Sequence, residues 1–522
     1  MRKGFGKDNK NSLNSSQEII VKQLIERAFS AQQNRNILEA EIIYQKLFRL
    51  NVRNQILYFN YGLLLESKKL YKEAINNYLL AIKYFPKDPN FYNKLALLNK
   101  KQGKFKDAEK LFLNSIFIDS SFEFGYINLA NLYLDLGKNK KAEEIYKKII
   151  KANPKSELGT LNLGNLLMNN GQLKEAEQLF LKAIEINPKS SNAFFQLSKF
   201  KKINHNDSFK KNLFNSKLLT NQKEIDKINI YFARSNINHL DKKYNQSKKN
   251  LILANSLKLE TFKSDVERRI NFPNSIYEKY SNNISDIKLH VDSRNHIFIV
   301  GMPRSGSTLI ESIISLNDDV FDLGESEALP ISYSKWINNQ EEYSLFDLYK
   351  KEIKLDLISS QNITDKNLFN YAYLPLILRK FKGSRIIHSY RNPLDNILSI
   401  YRANFRDGYS YSSSLIDISR VLTNEKKLMQ NYKNQFPNHI YSINYDSLVS
   451  NPELEIRRLI NWLNFEWHEK YLSPHLNQRR VTTTSKLQVR FPINKKSLSG
   501  WENYKELLKP AINFLAKEEL AH

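Results

Sequence analysis

A period of 34 residues governs the first half of the chain. In a frame that starts at Val21, Gln55, Pro89, Glu123 and Glu157, the eighth position reads Ala28, Gly62, Ala96, Ala130 and Gly164. The twentieth reads Ala40, Ala74, Ala108, Ala142 and Ala176, without exception. The twenty-fourth is aromatic each time: Tyr44, Tyr78, Phe112, Tyr146 and Phe180. The thirty-second reads Val52, Pro86, Ser120, Pro154 and Pro188. Small residues at positions eight and twenty let the two helices of a hairpin approach closely, and the aromatic fills the space beside them. The late Pro lacks an N–H and stops the second helix before the next hairpin begins. A unit of this size cannot bury its apolar face alone, so neighbouring units must stack.

This pattern resembles the tetratricopeptide repeat (TPR), with five units in register. Where that family carries Trp at position four, this chain has Leu24, Tyr58, Tyr92, Tyr126 and Thr160. The resemblance implies an all-α solenoid over residues 21–204 whose concave surface holds a protein or peptide; a scaffold or dimerisation arm is the competing use. A sixth unit starts at Ser191 with Phe194 and Leu197 and loses the pattern after Phe200. Residues 228–261 recover a weaker frame through Tyr231, Ser235, Ser247 and Ala254. The span 205–290 is therefore expected to form irregular helices that cap the repeats and link them onward, because a solenoid's last apolar face needs a cover. Residues 1–20 are expected to be a solvated tail.

Charge and composition narrow the partners. The 522 residues carry a formal net charge of +26. Residues 1–290 hold 50 Lys and Arg against 28 Asp and Glu, and residues 291–522 hold 30 against 26. A basic half suits an acidic partner. No aromatic-basic platform or groove-reading motif accompanies the charge, so no specific nucleic-acid binding is expected and the Lys side chains read as solvated helix faces. Cys is absent, which excludes disulfides, thiolate metal sites and Cys nucleophiles. No run of about 18 apolar residues occurs, so no membrane span is expected. The basic start, MRKGFGKDNK, lacks the apolar core of a secretory signal. These features together point to the cytoplasm.

The second half carries a phosphate loop with a missing lysine. His296–Val300 is an apolar, β-rich run, read as a buried strand. Gly301-Met302-Pro303-Arg304-Ser305-Gly306-Ser307-Thr308 follows, then LIESIISL with helical spacing. Strand, glycine-bounded loop and helix is the order that aims backbone N–H groups and a helix N-terminus at an anion. The spacing is that of a phosphate loop, yet Ser307-Thr308 stands where a nucleoside triphosphatase has Lys followed by Ser or Thr. Arg304, inside the loop, supplies a cation instead. A second strand, Arg385–Ser389, runs into Tyr390-Arg391-Asn392-Pro393, with Pro393 well placed to open a helix. Arg391 before that helix and Ser399 two turns into it can converge on one phosphate.

These two elements resemble the nucleotide signatures of sulfotransferases that use 3′-phosphoadenosine 5′-phosphosulfate (PAPS). The region from about 295 onward is similar to the protein-tyrosine sulfotransferase family and its TPR-fused bacterial relatives. Glu325 follows Arg304 by 21 residues, as that family's catalytic Glu does. Thr364-Asp365-Lys366 resembles its catalytic-Lys segment, Tyr445-Asp446-Ser447-Leu448 its strand-to-helix segment, and Gln488 to Trp501 its late nucleotide-contacting loop. Two positions depart from the animal enzymes: Gly500 stands where they have Lys, and Asn367-Leu368 replaces a Pro-containing turn after Lys366.

The resemblance implies an all-α TPR solenoid followed, over 291–522, by an α/β domain with a parallel sheet and a phosphosulfate-binding loop. It implies that Arg304, Ser305, Gly306, Ser307 and Thr308 hold the phosphosulfate of PAPS and that Arg391 and Ser399 hold its 3′-phosphate. Lys366 would face the bridging oxygen, with Ser485 as a weaker candidate for the same place, and Glu325 would take the acceptor's proton. Glu327 and His388 are the alternative bases. Fixed cations suffice for such a donor, so no metal is expected. The acceptor stays open among tyrosine, a sugar and a small metabolite. The competing function is a TPR scaffold whose C-terminal domain is inactive or binds nucleotide only.

Overall fold

The structure is a computed structural model of the full chain, and it describes residues 15–200, 207–281, 294–338, 343–405 and 408–520. Residues 1–14 of the expected tail, and 205–206 and 282–290 of the expected cap, lie outside the described residues. The chain divides into two compact units, residues 1–163 and 164–522.

The first unit is built of helical hairpins. Its helices run Ser15–Gln33, Ile37–Arg49, Gln55–Ser67, Tyr71–Tyr84, Pro89–Lys101, Phe105–Ile118, Glu123–Asp135 and Asn139–Ala152. The helix Glu157–Asn169 carries the boundary between the units. Residues 15–20, expected in the tail, begin the first of these helices.

The repeat positions do what their sizes dictate. All five alanines of position twenty are fully buried, and so are Tyr44, Tyr78, Phe112 and Phe180 at position twenty-four. A Cβ on Gly62 would lie 2.3 Å from the Tyr78 ring, so position eight is where the aromatic of position twenty-four arrives. Burial, with Glu66 accepting its hydroxyl at 2.6 Å, pushes the Tyr78 phenol far above its usual range. Each hairpin turn needs one left-handed residue. Gly103, Gly137 and Gly171 provide it at φ of 76°, 71° and 87°, whereas Arg35 and Lys69 adopt φ of 62° and 61° at the same repeat position. A Cβ in that region costs roughly 1–2 kcal/mol.

The second unit opens with helices Leu173–Ile186, Ser191–Leu197 and Asp207–Phe214. Residues 224–261 are not irregular: they form a regular hairpin of two long helices, Glu224–Leu240 and Tyr244–Thr261. The reason is repeat-like packing. Ser235 and Ser247 are fully buried with their hydroxyls 2.9 Å apart, and Ala254 is fully buried too. A further helix, Val266–Tyr280, precedes the sheet.

The sheet has five parallel strands, β1 (Asn295–Gly301), β2 (Val320–Asp322), β3 (Asn362–Asp365), β4 (Arg385–Tyr390) and β5 (Ile440–Asn444), in the order β2-β3-β1-β4-β5. Both faces are covered, which is why β1 reads as a continuous apolar run. Phe298 and Val300 enter one core with Ile386 and Ile440, and Ile297 and Ile299 enter the other with Ile387 and Ile443. The chain leaves β1 for one side of the sheet and returns through β4 on the other. That reversal opens a crevice at the carboxyl ends of the strands, where ligands of open α/β sheets bind.

Candidate active site

Every site residue read from the sequence as catalytic or phosphate-binding, apart from Ser399 and Ser485, lies just beyond the carboxyl end of a strand. The phosphate loop follows β1, Glu325 follows β2, Lys366 follows β3 and Arg391 follows β4. Ser399 sits on the helix Pro393–Tyr401 that β4 feeds, and Ser485 comes from the irregular segment after residue 480.

The loop after β1 is held open for an anion. Gly306 has φ of 102°, and a Cβ there would lie 2.4 Å from the Tyr445 ring, so only glycine fits. The helix Ser307–Ile314 starts immediately after it. Ser389 Oγ donates to Ser305 O at 2.8 Å, and Asn396 Nδ2 donates to Pro303 O at 2.8 Å, which fasten the loop to β4 and its helix. Thr308 Oγ1 lies 3.2 Å from Thr483 Oγ1.

Arg304 joins the parts. Its Nε donates to Ser399 Oγ at 3.1 Å, Nη1 to Ser485 Oγ, and Nη2 to Gln488 Oε1 at 2.9 Å. Ser485 is therefore a direct neighbour of Arg304. Burial, and then Arg391 and Arg402 nearby, pull the Arg304 guanidinium down to about 10. Arg391 Nη2 donates to Ser497 O at 2.9 Å, its guanidinium lies 4.8 Å from the Tyr445 ring centroid, and its buried Nε makes no hydrogen bond and faces Asp446 Oδ1 only at 4.0 Å. Asp395 accepts from the backbone N–H groups of Ser499 at 2.9 Å and Trp501 at 3.0 Å, pinning the late loop to the same helix.

These groups line a cleft of about 390 Å³, within the range of small-ligand sites. Six Lys and Arg side chains line it against one acid, Asp395. Cations in excess and the buried hydroxyl of Ser305, which makes no hydrogen bond, fit a polyanionic nucleotide such as PAPS. Lys199, in the turn after Ser191–Leu197, and Asn236 and His239, on the helix Glu224–Leu240, also line the cleft. Among the described residues, no group of three or more His, Asp and Glu could hold a metal ion.

Glu325 and Lys366 meet each other outside the cleft's lining. Lys366 Nζ donates to Glu325 Oε1 at 3.0 Å, and the Lys366 N–H donates to Gly324 O at 2.9 Å. Lys366 is completely buried, while the Glu325 side chain is 44 % exposed. Glu327 receives only Asn367 Nδ2, at 3.4 Å. His388 lies inside β4 with Nε2 2.9 Å from Glu425 Oε1, a paired core histidine.

Sequence reasoning missed Glu311 and Arg479. Glu311 Oε2 is 3.8 Å from Lys366 Nζ and 2.6 Å from Arg479 Nη2, and Arg479 Nη1 also pairs with Asp322. The signal for Glu311 was a lone carboxylate inside the apolar helical run LIESIISL. Arg479 sits in aperiodic sequence and offered none.

Residues 296–469 match the sulfotransferase family. The C-terminal region is a sulfotransferase domain. Tetratricopeptide repeats are matched at 62–103 and 127–191. A Caenorhabditis briggsae protein named "Putative protein-tyrosine sulfotransferase" is 26% identical over 227 residues, covering 39% of this chain and 80% of that protein. An uncharacterized Aquifex aeolicus protein is 29% identical over 246 residues, covering 43% of this chain, and the match spans only 32% of that protein's length. The solved "Sulfotransferase Domain from the Curacin Biosynthetic Pathway" aligns with a TM-score of 0.30 at 17% identity, over 40% of this chain and 90% of that one. The late loop, with Ser485 and Gln488, falls outside the sulfotransferase match at 296–469. Among the described residues, no helix is long and apolar enough to cross a membrane.

Proposed function

We propose that the sulfotransferase domain moves a sulfuryl group from PAPS to an acceptor hydroxyl, and that the TPR repeats recruit a protein or peptide substrate. The observation that carries this reading is Arg304, which spans from the phosphate loop to both Ser399 and Ser485 in one cation-rich cleft. When bound, PAPS supplies a sulfuryl group already joined to a stable leaving phosphate.

In this reading the loop N–H groups of Ser305 and Gly306, the hydroxyls of Ser307 and Thr308, and Arg304 hold the phosphosulfate. Arg391 and Ser399 hold the 3′-phosphate. Lys366 neutralises charge on the bridging oxygen, and Ser485 orients Arg304. Such fixed donors act by positioning and by stabilising developing charge. Glu325 takes the acceptor's proton. The name of the Caenorhabditis protein favours protein tyrosine as the acceptor, and a phenol with pKa near 10 suits a carboxylate acting as the new bond forms. We place the activity in the cytoplasm, which a chain without Cys suits.

Calorimetric titration with PAPS, its desulfated product 3′-phosphoadenosine 5′-phosphate, ATP and 5′-AMP tests the donor. The 3′-phosphorylated nucleotides should bind much more tightly, since each charged hydrogen bond to that phosphate is worth roughly 1.5–3 kcal/mol. Equal affinity for ATP would sink the reading.

A further inference from the structure

The charge cluster behind Glu325 holds two carboxylates around one buried ammonium. Lys366 faces Glu325 at 3.0 Å and Glu311 at 3.8 Å. The two acids differ in every other respect. The Glu325 side chain is 44 % exposed and Glu311 is 1 % exposed. Glu325 stands in a loop, whereas Glu311 stands on the helix Ser307–Ile314, one turn after Thr308, and is clamped by Arg479 at 2.6 Å. Burial works against the Arg479 charge, but Glu311 and Asp322 outweigh it and hold the guanidinium above its usual value.

A general base changes charge as it works. The proton leaves the acceptor oxygen and ends on Glu325, which passes from anionic to neutral. A buried ammonium left without a carboxylate is strongly destabilised. The other groups around the cluster cannot serve. Asp365, beside Lys366, is pushed up to about 7, first by burial and further by Glu311, although the Asn367 N–H, the Tyr349 hydroxyl and Lys366 oppose this. It is therefore partly protonated near neutrality. Asp322 is taken by Arg479, and Tyr349 and Tyr409 are phenols raised by burial. Glu327 meets Asn367.

We propose that Glu311, fixed by Arg479, is a positioning residue that holds Lys366 in place while Glu325 carries the acceptor's proton. This rests on Glu325 being the base.

The test is a mutant cycle on the full chain, read by denaturant midpoint. Glu325→Gln mimics the protonated base. Each of Glu311→Gln and Glu325→Gln leaves Lys366 one of its two ion-pair partners, whereas the double variant leaves neither. The inference expects the double variant to lose far more midpoint than the two single losses together, and this excess to vanish in a Lys366→Met background. Additive losses would overturn it. If Glu311→Gln alone does not fold, adding Lys366→Met should restore folding; failure to do so assigns Glu311 to Arg479 alone and overturns the inference. In turnover, Glu311→Gln should lower kcat about tenfold or more with the donor KM unchanged, the mark of an interaction used in the transition state, and Glu311→Asp should recover most of it. A chain that transfers no sulfuryl group would refute the base reading, while the midpoint cycle would still decide whether Glu311 backs Lys366.

Discussion

The repeats and the catalytic domain store their information differently. In the repeats, one rule is written five times: small residues at positions eight and twenty, an aromatic at twenty-four. Each copy is confirmed by its neighbours, and the burial of Ala40, Ala74, Ala108, Ala142 and Ala176 follows the rule without exception. In the sulfotransferase domain, the site residues come from several loops, each of which occurs once, and their meaning depends on partners from 41 to 181 positions away. Arg304 bonding Ser485 is such a case. A redundant pattern tolerates damage to one copy, whereas a constellation does not.

That contrast can be broken most severely at the base. Glu325→Gln should lower turnover by about 10²–10⁴-fold with nucleotide affinity nearly unchanged, because the residue lies outside the cleft. Arg304→Ala should weaken donor binding and turnover together, since its cation serves ground and transition states alike. Steady-state kinetics with calorimetry separates the two. Glu325→Gln within about threefold of the parent rate would move the base to Glu327.

The next effect belongs to pH. Asp365 is raised from 3.8 to about 7, chiefly by burial. Its folded-state pKa exceeds the unfolded one, so its contribution to stability is complete below about pH 4 and is lost as pH rises through about 7, at up to about 1.4 kcal/mol per pH unit. Asp365→Asn should flatten that part of the stability profile, followed by denaturant melts across pH. An unchanged slope would mean that Asp365 is ionised in the folded chain.

Two changes in the repeats sharpen the other side of the comparison. Ala142→Leu, at a fully buried alanine, should cost about 1–3 kcal/mol by overpacking and leave the nucleotide titration unchanged. Lys69→Gly should do the reverse on the smallest scale. It relieves a side chain from φ of 61° at a position where three repeats have glycine, and should raise the melting midpoint by an amount worth about 1 kcal/mol.

Legibility followed the same division. The repeats, the strands β1 and β4 and the phosphate loop were readable because periodicity or an apolar run announced them. The hairpin over 224–261 was underread because its small positions are filled by Ser235 and Ser247, which look polar in sequence yet pack like alanine once their hydroxyls pair. β2 and β3 escaped because they span only three and four residues. The Glu311–Arg479 clamp was invisible because its halves are 168 residues apart and one lies in aperiodic chain. The segments ahead of the sheet also reach the cleft through Lys199, Asn236 and His239, so a fragment beginning at 291 would lack one wall of it.

The strand order carries a consequence for how such a domain can change over generations. β2 and β3, which present Glu325 and Lys366, lie on one flank of β1; β4 and β5, which present Arg391 and Tyr445, lie on the other. With the proposed roles, the flank of β2 and β3 carries the acceptor's base and the lysine that faces the bridging oxygen, and the other flank carries the 3′-phosphate site. Mutations that retune the recipient can accumulate around the loop after β2 while the loop after β4, with Arg391, stays untouched. A lineage built on this sheet can explore new recipients without relearning its coenzyme.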